Sequence, residues 1–197
     1  MQTLDFTRAL TDIVADDKRA GEVIWRLRGL LKRGASQPSL VDLNEVVSDV
    51  IRLLGNDAML RNVSVKVEPF PGLPVVRGDR IQLYQLALNL IMNGLDAVAE
   101  RLPGDRWVLV RTAEADGGGV ELKVEDSGTG VAASDLARVF EPFFSTKREG
   151  MGMGLSICRS IVQVHGGKIW AENNARHGAI FHCVLPVAQQ AALAAAK

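Results

Sequence analysis

The sequence predicts an α+β sandwich with a largely antiparallel sheet, preceded by one long amphipathic helix. Three observations predict it. Helical and alternating stretches come in clusters, and the later strands are spaced as hairpins, which favours antiparallel pairing over a doubly wound sheet. A chain of 197 residues with 47% hydrophobic content can bury one substantial core and a smaller helical appendage. Near the N-terminus, Phe6, Leu10, Ile13, Asp17, Ala20, Ile24, Leu27 and Leu31 follow an alternating four-three spacing in which only Asp17 is polar, a heptad seam.

Val14, Val23 and Leu30 widen that seam, so residues about 4 to 33 read as one helix of a helical bundle. Gly34-Ala35-Ser36-Gln37-Pro38 reads as a linker. Domain boundaries are therefore expected at residues 1–36 for the helix and linker, 37–187 for the main domain and 188–197 for a flexible, alanine-rich tail. Asp42 is a plausible N-cap for a helix whose apolar face is Val46, Val47, Val50, Ile51, Leu53 and Leu54, with a stop expected near Gly55 to Asp57. Val63 to Val67 alternates as a strand, and a turn from Pro69 to Pro74 precedes a short segment at Val75-Val76. Asp79 caps a helix expected to run to about Glu100. Trp107–Thr112 and Val120–Glu125 form a hairpin around Asp116 to Gly119, Gly154–His165 a helix, and Lys168–Glu172 and Ala179–Leu185 the last strands.

Composition excludes several function classes. Lys plus Arg and Asp plus Glu are 23 each, so no global field draws the chain to nucleic acid or an acidic membrane. Cys158 and Cys183 lie in apolar runs without metal-ligand spacing, which points to reduced, buried thiols and a cytoplasmic location. No apolar run approaches the ~18 residues of a membrane span, and the N-terminus lacks a signal-peptide core, so no membrane contact is expected.

Three stretches carry chemistry. Asn89, Asn93 and Asp96 recur at i, i+4 and i+7 on a helix otherwise made of Leu86, Leu90, Ile91, Leu95 and Val98, a polar stripe that needs partners. Backbone or neighbouring helices can satisfy it. Two amide oxygens one turn apart can equally complete the oxygen shell of Mg²⁺, with phosphates and water supplying the rest. Asp126 ends a strand and precedes Gly128 and Gly130; this is an ordinary turn signal, or a carboxylate able to accept from an exocyclic amine while glycines admit a base. From Val139 to Leu155, aromatics lead, Lys147 and Arg148 follow, and Gly150, Gly152 and Gly154 alternate before a helix whose N-terminus favours phosphate. Neither a Rossmann glycine pattern nor a P-loop is present.

The ordered motifs Asn89-(x3)-Asn93-(x2)-Asp96, Asp126-x-Gly128-x-Gly130, Phe140-(x2)-Phe143-Phe144 and Gly150-x-Gly152-x-Gly154-Leu155 resemble the N, first glycine, F and second glycine boxes of the histidine kinase ATPase superfamily. The likeness covers residues of about 40 to 186. Glu141 to Lys147, Val164 to Trp170 and Phe181 to Pro186 are most similar to sensor histidine kinases of two-component systems, of the nitrogen-regulatory or PAS-linked oxygen- or light-sensing type. The resemblance implies a Bergerat-type two-layer α/β sandwich that binds ATP and Mg²⁺. In it Asn93, helped by Asn89, holds the metal and Asp126 reads the adenine amino group. Asp96, Gly128, Gly130, Thr146, Lys147, Gly150, Met151, Gly152, Met153, Gly154 and Leu155 complete the nucleotide contacts, with Phe140 to Gly154 a mobile lid and Asn89, Asn93 and Lys147 serving catalysis. It further implies a homodimer through the N-terminal helix, read as the second helix of a phosphotransfer hairpin, and a response-regulator receiver domain as partner.

Two departures stand out. Gly178-Ala179-Ile180-Phe181 has Ala and Ile where many relatives carry threonines, which removes a hydroxyl near the base. The family phosphorylates a histidine followed by an acidic residue on the first hairpin helix, yet this chain has only His165, His177 and His182, all in the ATP-binding half. His165 reads as capping or packing after a helix, His177 as a loop residue and His182 as a strand residue. Either the chain begins after the first hairpin helix or the protein acts in trans on a partner. An ATP-hydrolysing switch such as gyrase B is disfavoured, because those relatives have a glutamate as general base where Asn89 stands. A degenerate nucleotide-binding scaffold is disfavoured by the intact boxes.

Overall fold

The computed structural model describes residues 38–146 and 152–188. The heptad helix, most of the linker, Lys147 to Met151 and the tail from Gln189 lie outside the described residues. In chain order the elements are β1 (Ser39–Val41), α1 (Leu43–Leu60), β2 (Ser64–Glu68), β3 (Val76–Gly78), α2 (Arg80–Ala97), β4 (Trp107–Ala115), β5 (Gly119–Asp126), α3 (Gly154–Val164), β6 (Lys168–Asn173) and β7 (Ala179–Pro186).

Five strands pair in the order β2-β4-β5-β7-β6, with β2 parallel to β4 and the other pairs antiparallel. One face of this sheet is apolar. Val110, Val124, Phe181 and Ala171 form one cross-strand row, and Leu122, Cys183 and Ile169 the next. They share a core with Leu83, Leu86, Leu90 and Ile91 of α2, Val46, Val47 and Val50 of α1, and Ile161 and Val162 of α3. Each such side chain contributes roughly 1.5 to 3 kcal/mol on burial, so the helical layer is held by its apolar stripes more than by propensity. The opposite face carries the row Arg111, Lys123, His182 and Trp170, the charged side expected of an antiparallel sheet covered on one face.

The helix starts follow the expected caps. Asp42 accepts from the amide of Asn44 at 2.7 Å, and Asp79 from those of Ile81 and Gln82 at 2.8 and 3.4 Å. The expected stop near Gly55 does not occur: α1 continues to Leu60. Leu54 and Ala58 keep burying the same face, and Arg61 pairs with Asp57 at 2.9 Å. A glycine costs only about 1 kcal/mol inside a helix, less than that packing returns. α2 ends at Ala97 rather than near Glu100, with Val98 as its C-cap. β1 was not expected; its three residues pair with β3, which is too short a run to alternate visibly. Among the described residues no helix is long and apolar enough to cross a membrane. Both cysteines are buried free thiols.

Candidate functional site

α2 runs across the end of β5, and Gly94 makes this possible. A Cβ there would lie 3.3 Å from both methyls of Val108 and 3.7 Å from the Cβ of Asp126. Gly94, directly after Asn93, thereby packs beside the strand-end carboxylate. Asn89, Asn93 and Asp96 are all half-buried at the margin of a helix whose Leu86, Leu90 and Leu95 are fully enclosed. Asn89 Nδ2 donates to the carbonyl of Gly154 at 3.3 Å, which ties α2 to the first turn of α3. Asp96 turns to another neighbour: its Oδ1 accepts from Arg61 Nη1 at 2.7 Å. Burial works against the charge of Arg61, but the hydrogen bonds and charges of Asp96 and Asp57 outweigh it and raise its pKa.

Asp126 is buried, and its Oδ1 accepts from the amides of Gly128 at 2.8 Å and Ala179 at 3.3 Å. The glycines around it are dictated by close approach. Gly178 has φ 97°, and a Cβ there would meet the Asp126 carbonyl oxygen at 1.8 Å. Gly128 lies against the Ala97 carbonyl at the end of α2. Ser127 anchors the same loop, donating to the Asp105 carbonyl at 2.7 Å and accepting from the Trp107 amide at 2.9 Å. Gly130 has φ 77° and is followed by Val131, whose amide and carbonyl are both taken by the side chain of Asn173, at 2.8 and 2.7 Å.

The segment leading to α3 is described up to Thr146 and again from Gly152. Phe140 is buried edge-on against Phe181, with centroids 6.3 Å apart and planes at 86°. The Arg138 guanidinium stands 4.9 Å over the Phe144 ring. Gly152, at φ 65°, packs on the backbone of Phe143 and Phe144, where a Cβ would come within 2.5 Å. Met153, the N-cap of α3, makes no side-chain cap hydrogen bond, unlike Asp42 and Asp79. Thr146 is exposed, and Gly154 and Leu155 open α3 half-buried; Lys147, Gly150 and Met151 lie outside the described residues.

Two of the three histidines take structural positions, and His177 is exposed in the loop before β7. His165 Nδ1 donates to the Ile161 carbonyl at 2.8 Å while Nε2 accepts from the Asp79 amide at 3.1 Å, so one neutral tautomer satisfies both. His182 lies on the charged sheet face between Glu121 and Glu172, stacked on Trp170 at 4.7 Å. Arg61, Asn173 and Gly94 escaped sequence reasoning. Only the Gly94 interruption of an apolar helix offered a signal.

This site matches the family model described as histidine kinase-, DNA gyrase B-, and HSP90-like ATPase over residues 78–189. The chain belongs to that family, and within it to the sensor histidine kinases. It is 38% identical over 172 residues to sensor protein FixL of Bradyrhizobium diazoefficiens, covering 87% of this chain and 34% of that protein. It is 38% identical over 185 residues to the C4-dicarboxylate transport sensor protein DctS of Rhodobacter capsulatus, covering 94% and 28%. The chain thus spans about a third or less of the length of these relatives. Among solved structures, the catalytic domain of histidine kinase ThkA superposes with TM-score 0.70 at 29% identity, covering 79% of this chain and 99% of that one. Full-length ShkA in complex with AMPPNP superposes with TM-score 0.68 at 28% identity, covering 77% and 31%. ThkA in complex with the response regulator TrrA superposes with TM-score 0.70 at 26% identity, covering 90% and 50%.

Proposed function

We propose that the chain binds Mg·ATP between α2, the end of β5 and the start of α3, and presents the terminal phosphate to a histidine on a hairpin helix for relay to a response-regulator aspartate. The observation that carries this reading is the packing of Gly94, directly after Asn93, beside the buried strand-end carboxylate of Asp126. Asp126 accepts from the adenine amino group, and Gly128 and Gly130 admit the base. Asn93 and Asn89 offer neutral amide oxygens, a hard donor set that suits Mg²⁺ when phosphates and water fill the remaining positions. Asn89 fits this role, because its Nδ2 is already given to Gly154 and its Oδ1 is the atom left for a cation. The metal, when bound, neutralises phosphate charge.

The N–H groups at the start of α3, with no side-chain cap at Met153, are assigned to the phosphates, and Thr146, Lys147, Gly150, Met151, Gly152, Gly154 and Leu155 are assigned with them. Lys147 adds charge to the phosphate in transfer. Asp96 completes the nucleotide contacts from the last turn of α2, with its Oδ1 held by Arg61. The AMPPNP and TrrA bound in the neighbouring structures support nucleotide use and receiver-domain relay. Residues about 4 to 33 dimerise the chain through their heptad seam, in the cytoplasm where free thiols persist.

The test is transfer in trans. The chain is incubated with γ-labelled ATP, with and without a separate hairpin fragment bearing a histidine followed by an acidic residue. Acid-labile phosphate is expected on the fragment and not on this chain alone. Label on this chain alone, or phosphate release without transfer, contradicts the proposal.

A further inference from the structure

β5 ends at Asp126, and the chain that follows, Ser127 to Ala132, belongs to no helix or strand. Its course is nevertheless fixed from the side by the β6–β7 hairpin. Asn173, the last residue of β6, accepts from the Val131 amide at 2.8 Å through Oδ1 and donates to the Val131 carbonyl at 2.7 Å through Nδ2. A side-chain amide carries the same kinds of donor and acceptor as a peptide group, so Asn173 supplies the pair of bonds that a neighbouring strand would have supplied. The residue before Val131 is fitted to this clamp: Gly130 has φ 77°, and a Cβ there would stand 2.8 Å from Asn173 Oδ1 and 3.2 Å from the Gly178 carbonyl oxygen. The far side of the same hairpin holds Asp126, through the Ala179 amide at 3.3 Å and the close approach of Gly178. The Asn174 amide donates to the Gly178 carbonyl at 2.9 Å, which joins the two holds into one unit. Asn173 is itself exposed, so it buries little surface and acts through its two bonds.

We propose that Asn173 is a positioning residue for the base end of the nucleotide site: its clamp on Val131 holds the Gly128–Gly130 segment in its base-admitting conformation before nucleotide arrives. The inference rests on the nucleotide reading given above. Without the clamp the segment is free to leave that conformation, and apparent affinity falls by the fraction of chains that keep it. The loss lies at the base, so adenosine and ADP share it equally. A residue that only filled space would be replaced without loss by its isostere aspartate, which keeps the shape and the acceptor but, as a carboxylate, cannot donate to the Val131 carbonyl.

The experiment measures adenosine binding, and ADP binding with Mg²⁺, to the full chain near neutral pH in the parent, Asn173→Ala, Asn173→Asp and Asn174→Ala. Asn174 is the control: it belongs to the same hairpin, but its side chain donates to Glu125 and accepts from the Arg176 amide, away from Val131. Asn173→Ala is expected to weaken adenosine and ADP alike by roughly ten-fold, the equivalent of two net hydrogen bonds. Asn173→Asp loses at least as much, because its carboxylate faces the Val131 carbonyl, while Asn174→Ala binds both ligands within about two-fold of the parent. In the nucleotide-free protein the Val131 amide exchanges slowly in the parent and in Asn174→Ala and quickly in Asn173→Ala, and saturating ADP slows it again. A parent that binds neither ligand overturns the nucleotide reading. With a parent that binds, unchanged affinity in Asn173→Ala or Asn173→Asp, an equal loss in Asn174→Ala, a loss confined to ADP, or a Val131 amide indifferent to Asn173 overturns this inference alone.

Discussion

Replacing Gly178 by alanine isolates the close approach of β7 to Asp126. Two costs are combined at that position. The first is backbone: φ is 97°, where an L side chain is strained by about 1–3 kcal/mol. The second is contact, because the new Cβ would stand 1.8 Å from the Asp126 carbonyl oxygen, 2.7 Å from its carbonyl carbon and 3.0 Å from its Oδ1. The strands must part by more than an ångström, which adds about 1–3 kcal/mol of overpacking. Gly104 is the control: its φ is 104°, nearly the same, and a Cβ added there would meet no heavy atom within 4 Å. Urea unfolding should therefore show a loss of about 1–3 kcal/mol for Gly104→Ala and about 2–6 kcal/mol for Gly178→Ala. Because Asp126 also accepts from the neighbouring Ala179 amide, the shift displaces its carboxylate, and adenosine affinity should fall roughly ten-fold in Gly178→Ala only. Equal destabilisation of the two variants, with adenosine binding retained, would refute the reasoning.

Other outcomes follow from the same geometry. Asp126→Asn should erase much of the preference for ATP over GTP, since an amide can donate as well as accept; competition binding that leaves the preference intact places the base elsewhere. Alkaline pH should weaken the fold through its thiols. Burial holds Cys158 at about 12 and raises Cys183 as well, while unfolded thiols ionise near ~8.5. Their stabilisation is thus complete below ~8.5 and lost as pH climbs toward the folded values, with a slope of up to about 1.4 kcal/mol per pH unit for each thiol. Denaturation midpoints measured from pH 8 to 10.5 should fall less steeply when both cysteines are alanine, and an unchanged slope would contradict this. Tyr84, whose phenol is raised by partial burial, adds its own decline only nearer ~10 in every variant.

Local signals were legible and distant ones were not. Asp42 and Asp79 announce their caps because an N-cap is a bond between a side chain and amides two or three residues on. The β4–β5 hairpin declares itself through alternation and the glycine turn, where Gly117 and Gly118 take φ 89° and 87°. The spacing of Asn89, Asn93 and Asp96 placed them on one helical face, but it did not tell them apart. Asp96 is claimed by Arg61, which stands 35 residues earlier in the chain. Asn173 grips Val131 across 42 residues, and nothing in the local pattern around an asparagine at a strand end reveals such a clamp. The helix past Gly55 shows tertiary packing overriding a local breaker. Cys158 read as a buried thiol, which it is, while its bond to the Leu86 carbonyl needed α2 and α3 to be set side by side.

The most direct test of the account compares Mg·ATP with adenosine in Asn93→Ala by titration calorimetry. Asn93 stands one turn from Asn89 on the half-buried face of α2, while the base is assigned to Asp126 at the end of β5. The account predicts that Mg·ATP weakens roughly ten-fold or more, the worth of one lost ligand to the metal-phosphate group, while adenosine binds within about two-fold of the parent. Equal losses for the two ligands would place Asn93 outside the metal shell and contradict the central claim.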